Sequence, residues 1–540
     1  MQWIAPAERD TANDTLEQRL WAAADQFRAN SGLTAAQYSA PVLGLVFLRF
    51  AEARFARRRA ELEALSKSAR RGTSRIDDPD AYHAEGGLYL TPHARFEHLL
   101  ALPVGATIGS ALNDAMADIE RHNPQLAGVL PRSYQLFGSE LLKDLLKKIS
   151  EVPVSVDYDA FGRIYEYFLG EFARTEGQKG GEFYTPSAIV RLIVEILEPF
   201  HGEVLDPACG SGGMFVQSAR FVAEHRRNPG SELSVFGVEK TDETGRLARM
   251  NLAIHGLEGT IAHGGQINSY YDDPHEAVGR FDFVLANPPF NVNAVNKERL
   301  EAEVGTGRRF PFGLPRSDNA NTLWIQLFWS SLNARGRAGF VMANSASDAR
   351  SSEMEIRRQL IEARGVDAMV AVGPNMFYTV TLPCTLWFLD AGKRGSARAD
   401  TVLFIDARHI YRQIDRAHRD WTAGQIGFIA NIVRLYRGEA VDVVLGGDAA
   451  LAKLRGVFGQ EPAYRDVAGL CKAATVIEIE AQGWSLNPGR YVGVAPGEAV
   501  SDEGFKAQLE VLTEELESLN AQGRELEAAI AEGVAAMLES

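Results

Sequence analysis

The segment "FDFVLANPPF", Phe281 to Phe290, puts an amide, two prolines and an aromatic ring directly after an apolar run. Phe281, Phe283, Val284 and Leu285 read as a short buried strand. An amino group conjugated into a base ring is a poor nucleophile. A site that alkylates it must turn the nitrogen lone pair out of the ring plane. The Asn287 side-chain oxygen can accept one N–H, and the Pro288 carbonyl, held extended because Pro289 follows, can accept the other. Two acceptors stabilise the positive charge that develops on the nitrogen. Phe290 offers a flat face on which a base can stack, and a base in a duplex must swing out to reach it. A plain Pro-Pro turn at a strand end is the competing reading, but it leaves the Asn-first, aromatic-last order unexplained.

A second constellation lies upstream. "EVLDPACGSGGMF" places Asp206 at a strand end, followed by Gly210, Ser211, Gly212 and Gly213. Glycines permit a tight turn and close approach of backbone to a ligand. GxxxxGK[ST] is not present, which argues against a triphosphate. The next apolar run, "LSVFGVEK", ends in Glu239, placed to accept hydrogen bonds from two ribose hydroxyls, or else simply a solvated strand end. "INSYYDD" offers Asn268, whose amide suits an adenine edge, although a lone Asn at such a place is more often a turn former.

Strands and helices must alternate to carry these tips. "GEVLDPACG", "LSVFGVEK", "GTIAHG", "FDFVLANPPF", "RAGFVMANS", "VDAMVAVGP" and "TLWFLDAG" read as buried strands. "PSAIVRLIVEILEPF", "GRLARMNLAIHG" and "NTLWIQLFWSSLNARG" read as the helices between them. This pattern predicts a doubly wound α/β sheet with ligands beyond the carboxyl ends of its strands. Residues 1–150 read as a helical N-terminal domain, interrupted by a loop in "IDDPDAYHAEGGLYLTP". Residues 151–395 form the Rossmann-like catalytic unit and 396–500 an extension completing it, with a weaker signal after Asp390. Residues 501–540 form one long helix, whose stripe from Phe505 to Met537 follows a heptad-like spacing.

The totals set limits. A chain of 540 residues is too long for one core. Its three cysteines, Cys209, Cys384 and Cys471, form no CxxC pair, so neither a zinc site nor a disulfide framework is expected. No apolar run is long enough to span a membrane and the N-terminus has no secretory pattern, so the cytoplasm is the expected compartment. The net charge of -15 argues against a protein that grips DNA unaided. A basic run from Arg54 to Arg75 could touch phosphates, but interleaved Glu52, Glu61 and Glu63 favour a solvated helix face.

"DPACGSGGMF" followed by "NPPF" resembles the S-adenosylmethionine-dependent amino-methyltransferases, and the Asn-Pro-Pro-aromatic form resembles their adenine-N6 members. "GGEFYTP" stands ahead of the Gly-rich loop, as in the gamma arrangement. With "FGRIYEYFLGEFA", "YYDDPH", "WSLNPGRYVG" and the helical N-terminal region, nearly the whole chain resembles the modification subunit of type I restriction–modification systems. The resemblance implies a Rossmann-like methyltransferase domain with S-adenosylmethionine as cofactor and no metal. It implies that Glu182, Phe183, Tyr184, Thr185 and Pro186 line the methionine end. Asp206, Gly210, Ser211 and Gly212 would form the cofactor loop, Glu239 would hold the ribose, and Asn268 would lie by the cofactor adenine. Asn287, Pro288, Pro289 and Phe290 would hold the target base. It also implies a separate specificity subunit shared by two modification subunits, docked through the C-terminal helix, with a motor–nuclease subunit as an optional member. Two rivals stand beside it: a stand-alone methyltransferase acting on cytosine N4 or on RNA, and a catalytically silent assembly subunit.

Overall fold

The computed structural model describes residues 2–5, 20–22, 24–25, 35–68, 75–84, 87–103, 105–152, 158–176, 185–316, 319–377, 383–415 and 418–494. The expected C-terminal helix, and Glu182, Phe183 and Tyr184, lie outside them.

The N-terminal region is helical, as its spacing predicts. Helix α1 (Ala35–Ser68) packs with α2 (Ile108–His122), α3 (Ser139–Ser150) and α4 (Tyr158–Glu176) around Phe47, Phe50, Phe161 and Phe168. The expected loop around Asp78 differs in one respect. Pro79–His83 forms a short helix capped by the Asp78 carboxylate, and Tyr82 is buried against Phe55. One turn of helix is too short to leave a periodic signal. Within the basic run, Arg57 and Arg58 pair with Glu61, and Arg59 pairs with Glu63, the arrangement expected of a solvated face.

The rest of the described chain is built on a nine-stranded sheet. Strand β1 (Trp3–Ala5) lies apart from it. The sheet strands are β2 (Gly202–Asp206), β3 (Leu233–Glu239), β4 (Gly259–His263), β5 (Phe281–Ala286), β6 (Leu332–Ala343), β7 (Val366–Val372), β8 (Cys384–Asp390), β9 (Thr401–Asp406) and, at the far edge, β12 (Cys471–Thr475). Their order is β12-β9-β7-β8-β6-β5-β2-β3-β4. β8 runs antiparallel to both β6 and β7, and β12 antiparallel to β9; the other neighbours are parallel. All seven strands expected from the sequence are present. Beyond Asp390, where the signal weakens, β9 and β12 join the same sheet. β10 (Ile410–Gln413) pairs with β1 on one side and β11 (Arg419–Asp420) on the other in a small second sheet.

Helices cover both faces. α5 (Ser187–Leu197), α6 (Gly213–Glu224) and the later helix over Ala423–Arg437 bury one apolar layer. α7 (Asp242–Ile254) follows β3, while α8 (Asn321–Ser331) and α9 (Ser352–Glu362) cover the other face through Leu323, Phe328 and Leu360. α10 (Ala423–Arg437) starts in a capping box between Thr422 and Gln425, and α11 (Gly447–Phe458) packs beside it. The N-terminal helices dock on α7. Met250 and Ile254 enter their core, Arg249 donates to the carbonyls of Gln125 and Ala127, and Gly162 leaves no room for a side chain against His255. Asp367 of β7 is fully buried between Arg437, which fastens β7 to Ala423–Arg437, and Arg398 of the turn ahead of β9.

Candidate active site

Chain direction fixes where a ligand can sit. From β2 the chain steps outward to β3 and β4, then returns to lay β5 on the other side of β2. The connections after β2 and after β5 therefore leave the sheet in opposite senses. In sheets of this kind ligands sit at such a switch point, beyond the carboxyl ends. The segments 207–212 and 287–290 follow the carboxyl ends of the neighbouring strands β2 and β5.

The first segment is a tight turn. Gly210 and Gly212 have φ of 52° and 81°, a region that favours glycine. Gly212 donates to the Cys209 carbonyl at 2.8 Å, and Cys209 donates to the Val238 carbonyl at 3.0 Å, binding the turn to β3. Asn251 of α7, fully buried, donates its amide to the Ser211 carbonyl at 2.9 Å. A side chain on Gly237 would strike the Cys209 sulfur and Ile261, so β3 passes the turn in close contact.

Glu239 sits at the tip of β3 as expected. Its carboxylate accepts from the Gly210 N–H at 3.1 Å and from the Thr241 N–H at 2.8 Å. Asp206 is buried at the end of β2 and accepts from Ala208 N–H at 3.0 Å. Burial pushes its pKa up to about 8; the Ala208 N–H opposes the shift and the Glu239 charge adds to it. Burial likewise drives the Cys209 thiol up.

Asn268 takes the turn-forming alternative. Its side-chain oxygen accepts from Tyr270 N–H at 3.0 Å, and its own N–H donates to Asp272 at 2.8 Å. The loop it opens is fastened twice. Ser269 Oγ donates to the Pro207 carbonyl at 2.6 Å, and buried Arg309 donates to the carbonyls of Ser269, Tyr270 and Asp272 at 2.5, 3.1 and 3.2 Å. Asn268 thus stands on a loop bonded to the Gly-rich turn.

The second segment follows β5. Asn287 is half-buried, Pro288 buried, and Pro289 and Phe290 partly exposed. Phe290 packs against core residues of both sheet faces. Asn287 Nδ2 donates to Thr185 Oγ1 at 2.8 Å. Thr185 and Pro186 immediately precede α5, so the entrance to that helix meets the tip of β5. Pro186, Asp206, Gly210, Ser211, Gly212, Glu239, Asn268 and Pro288–Phe290 all lie on the carboxyl-end side of the sheet or the loops leaving it.

These residues fit a nucleoside-bearing cofactor. Among the described residues nothing lies within 4 Å of the position a side chain on Gly210 would take, so on that side the turn faces open space. An acidic strand end borders that space.

A model of N-6 DNA methylase matches residues 156–499, and one of the HsdM N-terminal domain matches residues 16–149. The type I restriction enzyme MjaIX methylase subunit of Methanocaldococcus jannaschii is 35% identical over 93% of this chain and 88% of its own length. The chain belongs to the family of type I restriction–modification methyltransferase subunits. The HindI methylase subunit of Haemophilus influenzae is 36% identical over 78% of this chain and 91% of its own length. The type I restriction-modification methyltransferase subunit from Streptococcus thermophilus superposes with a TM-score of 0.68, covering 89% of this chain and 99% of that one at 22% identity, a likeness of fold. The subunit is accordingly an S-adenosylmethionine-dependent DNA methyltransferase of a type I system, with a helical N-terminal domain ahead of a Rossmann-like fold on a mixed sheet. Among its described residues no helix is long and apolar enough to cross a membrane.

Asn251 and Arg309 were not singled out from the sequence. Each is a polar residue amid helix or loop with no motif around it. Only their burial, which sequence alone does not give, marks them as fasteners.

Proposed function

We propose that this subunit methylates the N6 amine of adenine in double-stranded DNA, on a base swung out of the helix. The observation that carries the reading is the fixed amide at the tip of β5, beside the Gly-rich turn at the point where strand order reverses. In this reading Asn287 Oδ1 and the Pro288 carbonyl accept the two hydrogens of the exocyclic amine. The Thr185 contact favours this orientation, because it occupies the amide nitrogen and directs the oxygen elsewhere. Phe290 stacks the base, worth about 1–3 kcal/mol.

Thr185 and Pro186, with Glu182, Phe183 and Tyr184, hold the methionine end of the cofactor. Asp206, Gly210, Ser211 and Gly212 form its loop, Glu239 holds the ribose, and Asn268 lies toward the adenine. S-adenosylmethionine supplies an electrophilic methyl on a sulfonium. The protein's part is to draw the amine nitrogen toward tetrahedral geometry and to stabilise the charge it acquires. That cationic nitrogen is acidic and releases its proton to water, so the site requires no general base.

A net charge of -15 fits a chain that meets DNA with a partner. The reading assigns sequence recognition to a specificity subunit joined by two copies of this chain, and translocation and cleavage to a motor–nuclease subunit. The heptad-like stripe within 501–540 is the proposed docking helix, and 150, 395 and 500 are the proposed boundaries of the chain's functional parts.

The test is Asn287→Ala, purified with its specificity subunit. Methyl transfer should fall at least about 10²-fold, while cofactor affinity measured by calorimetry stays within about threefold of wild type. Retained turnover would remove the amide from the mechanism.

A further inference from the structure

The residues after Phe290 are held by a device outside the sequence motifs. Asn291 adopts φ of 54°, in the left-handed region that asparagine tolerates better than most residues. Its N–H donates to Asn321 Oδ1 at 2.8 Å, and its own Oδ1 accepts from Asn321 Nδ2 at 2.9 Å. The two residues exchange donor and acceptor edges. Asn319 completes the cluster: Nδ2 donates to Asn291 Oδ1 at 3.1 Å, and Oδ1 accepts the Asn321 N–H at 2.9 Å. One residue further on, the Val292 carbonyl accepts from Ala320 N–H at 3.0 Å.

Asn321 is 2% exposed and opens α8, whose Leu323, Trp324 and Phe328 are buried in the core. Its own N–H is one of the helix-start donors that have no partner within the helix, and Asn319 satisfies it. The chain leaving Phe290 is therefore tied, at the very next residue, to a rigid element.

We propose that Asn321, acting through Asn291, is a positioning residue for the target base: it fixes the backbone that carries the Phe290 ring. This rests on the adenine-methylation reading above. Asn291 lies at the surface and Asn321 beneath it, and the buried amide of Asn321 is sensitive to the loss of its partner. Asn321→Asp keeps the size and the acceptor for Asn291 N–H, but sets an oxygen against Asn291 Oδ1. A carboxylate at a helix start is electrostatically favourable, which offsets part of the cost of burying its charge, and the melting curves report how much stability remains. Asn291→Gly accepts the same φ without strain and removes the side-chain partner.

The experiment is a double-mutant cycle on the complex with its specificity subunit, measuring kcat, KM for DNA and cofactor Kd, with melting curves as a check on folding. Asn321→Asp should lower kcat about 10–100-fold while KM and Kd stay within about threefold. In the Asn291→Gly background the same change should add less than about twofold, because its partner is gone. Unchanged kcat in Asn321→Asp overturns the proposal. So does a loss of cofactor affinity in proportion to kcat, or full multiplication of the two effects in the double variant. A wild-type complex that methylates no base refutes the reading underneath, and it does so before any variant is made.

Discussion

The Asn287 amide donates to the Thr185 hydroxyl at 2.8 Å, across 102 residues of sequence. Thr185 stands at the entrance to α5 and Asn287 at the exit of β5, so two segments expected to serve different ligands share one hydrogen bond. A single neutral hydrogen bond contributes about 1 kcal/mol net. Here it also sets which end of the amide faces away from Thr185.

Thr185→Val should therefore lower the methyl-transfer rate about tenfold, since the amide loses its orientation as well as the bond. Thr185→Ser, which keeps the hydroxyl, should recover to within about twofold of wild type. Steady-state kinetics on the complex checks both. Equal loss in Val and Ser variants would assign Thr185 to packing alone.

Asp206 gives a pH signature. An unfolded aspartate ionises near pH 4, whereas in the fold burial delays ionisation to about 8. Between those values the folded state keeps a proton that the unfolded state has released. Raising the pH then favours unfolding, so this residue's contribution is full below pH ~4 and is lost as pH rises through about 8. Asp206→Asn removes the dependence and can still accept from Ala208 N–H. The melting temperature of the variant minus that of wild type should rise with pH toward 8 and then level off, reaching at least about 1 kcal/mol in stability. Parallel curves would contradict it.

Arg309 fastens the loop of Asn268 through three carbonyls. Burial is the largest influence on its pKa and lowers it. Arg309→Gln should cost about 3 kcal/mol of stability, because buried carbonyls lose their donor. It should also weaken cofactor binding, since the loop is bonded to Pro207 through Ser269. Arg309→Lys should recover only part of either, as one ammonium lacks the guanidinium fork. Calorimetry and thermal melts measure the two effects.

Strands β2, β3 and β5 were legible because each is a short apolar run ending in a residue of unusual chemistry. The alternation of strand and helix gave the α/β class but not the order of pairing, in which β5 lies on the far side of β2. Less was legible past Asp390. β11 is only two residues long and β10 is buried at a single position, so neither leaves an alternating pattern. α10 is buried on nearly all sides, with Gln425 and Asn431 inside, and shows no polar stripe to mark it as a surface helix. For Asn268 the sequence favoured a turn former over an adenine contact, and its oxygen does cap a turn. Contacts such as Asn287 with Thr185, or Asn291 with Asn321, join residues whose proximity only the folded chain decides.

The most direct test of the account is the identity of the methylated base. The subunit, assembled with its specificity partner and S-adenosylmethionine, is incubated with unmodified DNA carrying the cognate site, and the digested nucleosides are analysed by mass spectrometry. The proposed clamp of Asn287, Pro288 and Phe290 predicts N6-methyladenine in wild-type reactions and none above background with Asn287→Ala. N4-methylcytosine from the wild-type complex, or N6-methyladenine undiminished in the variant, would contradict it.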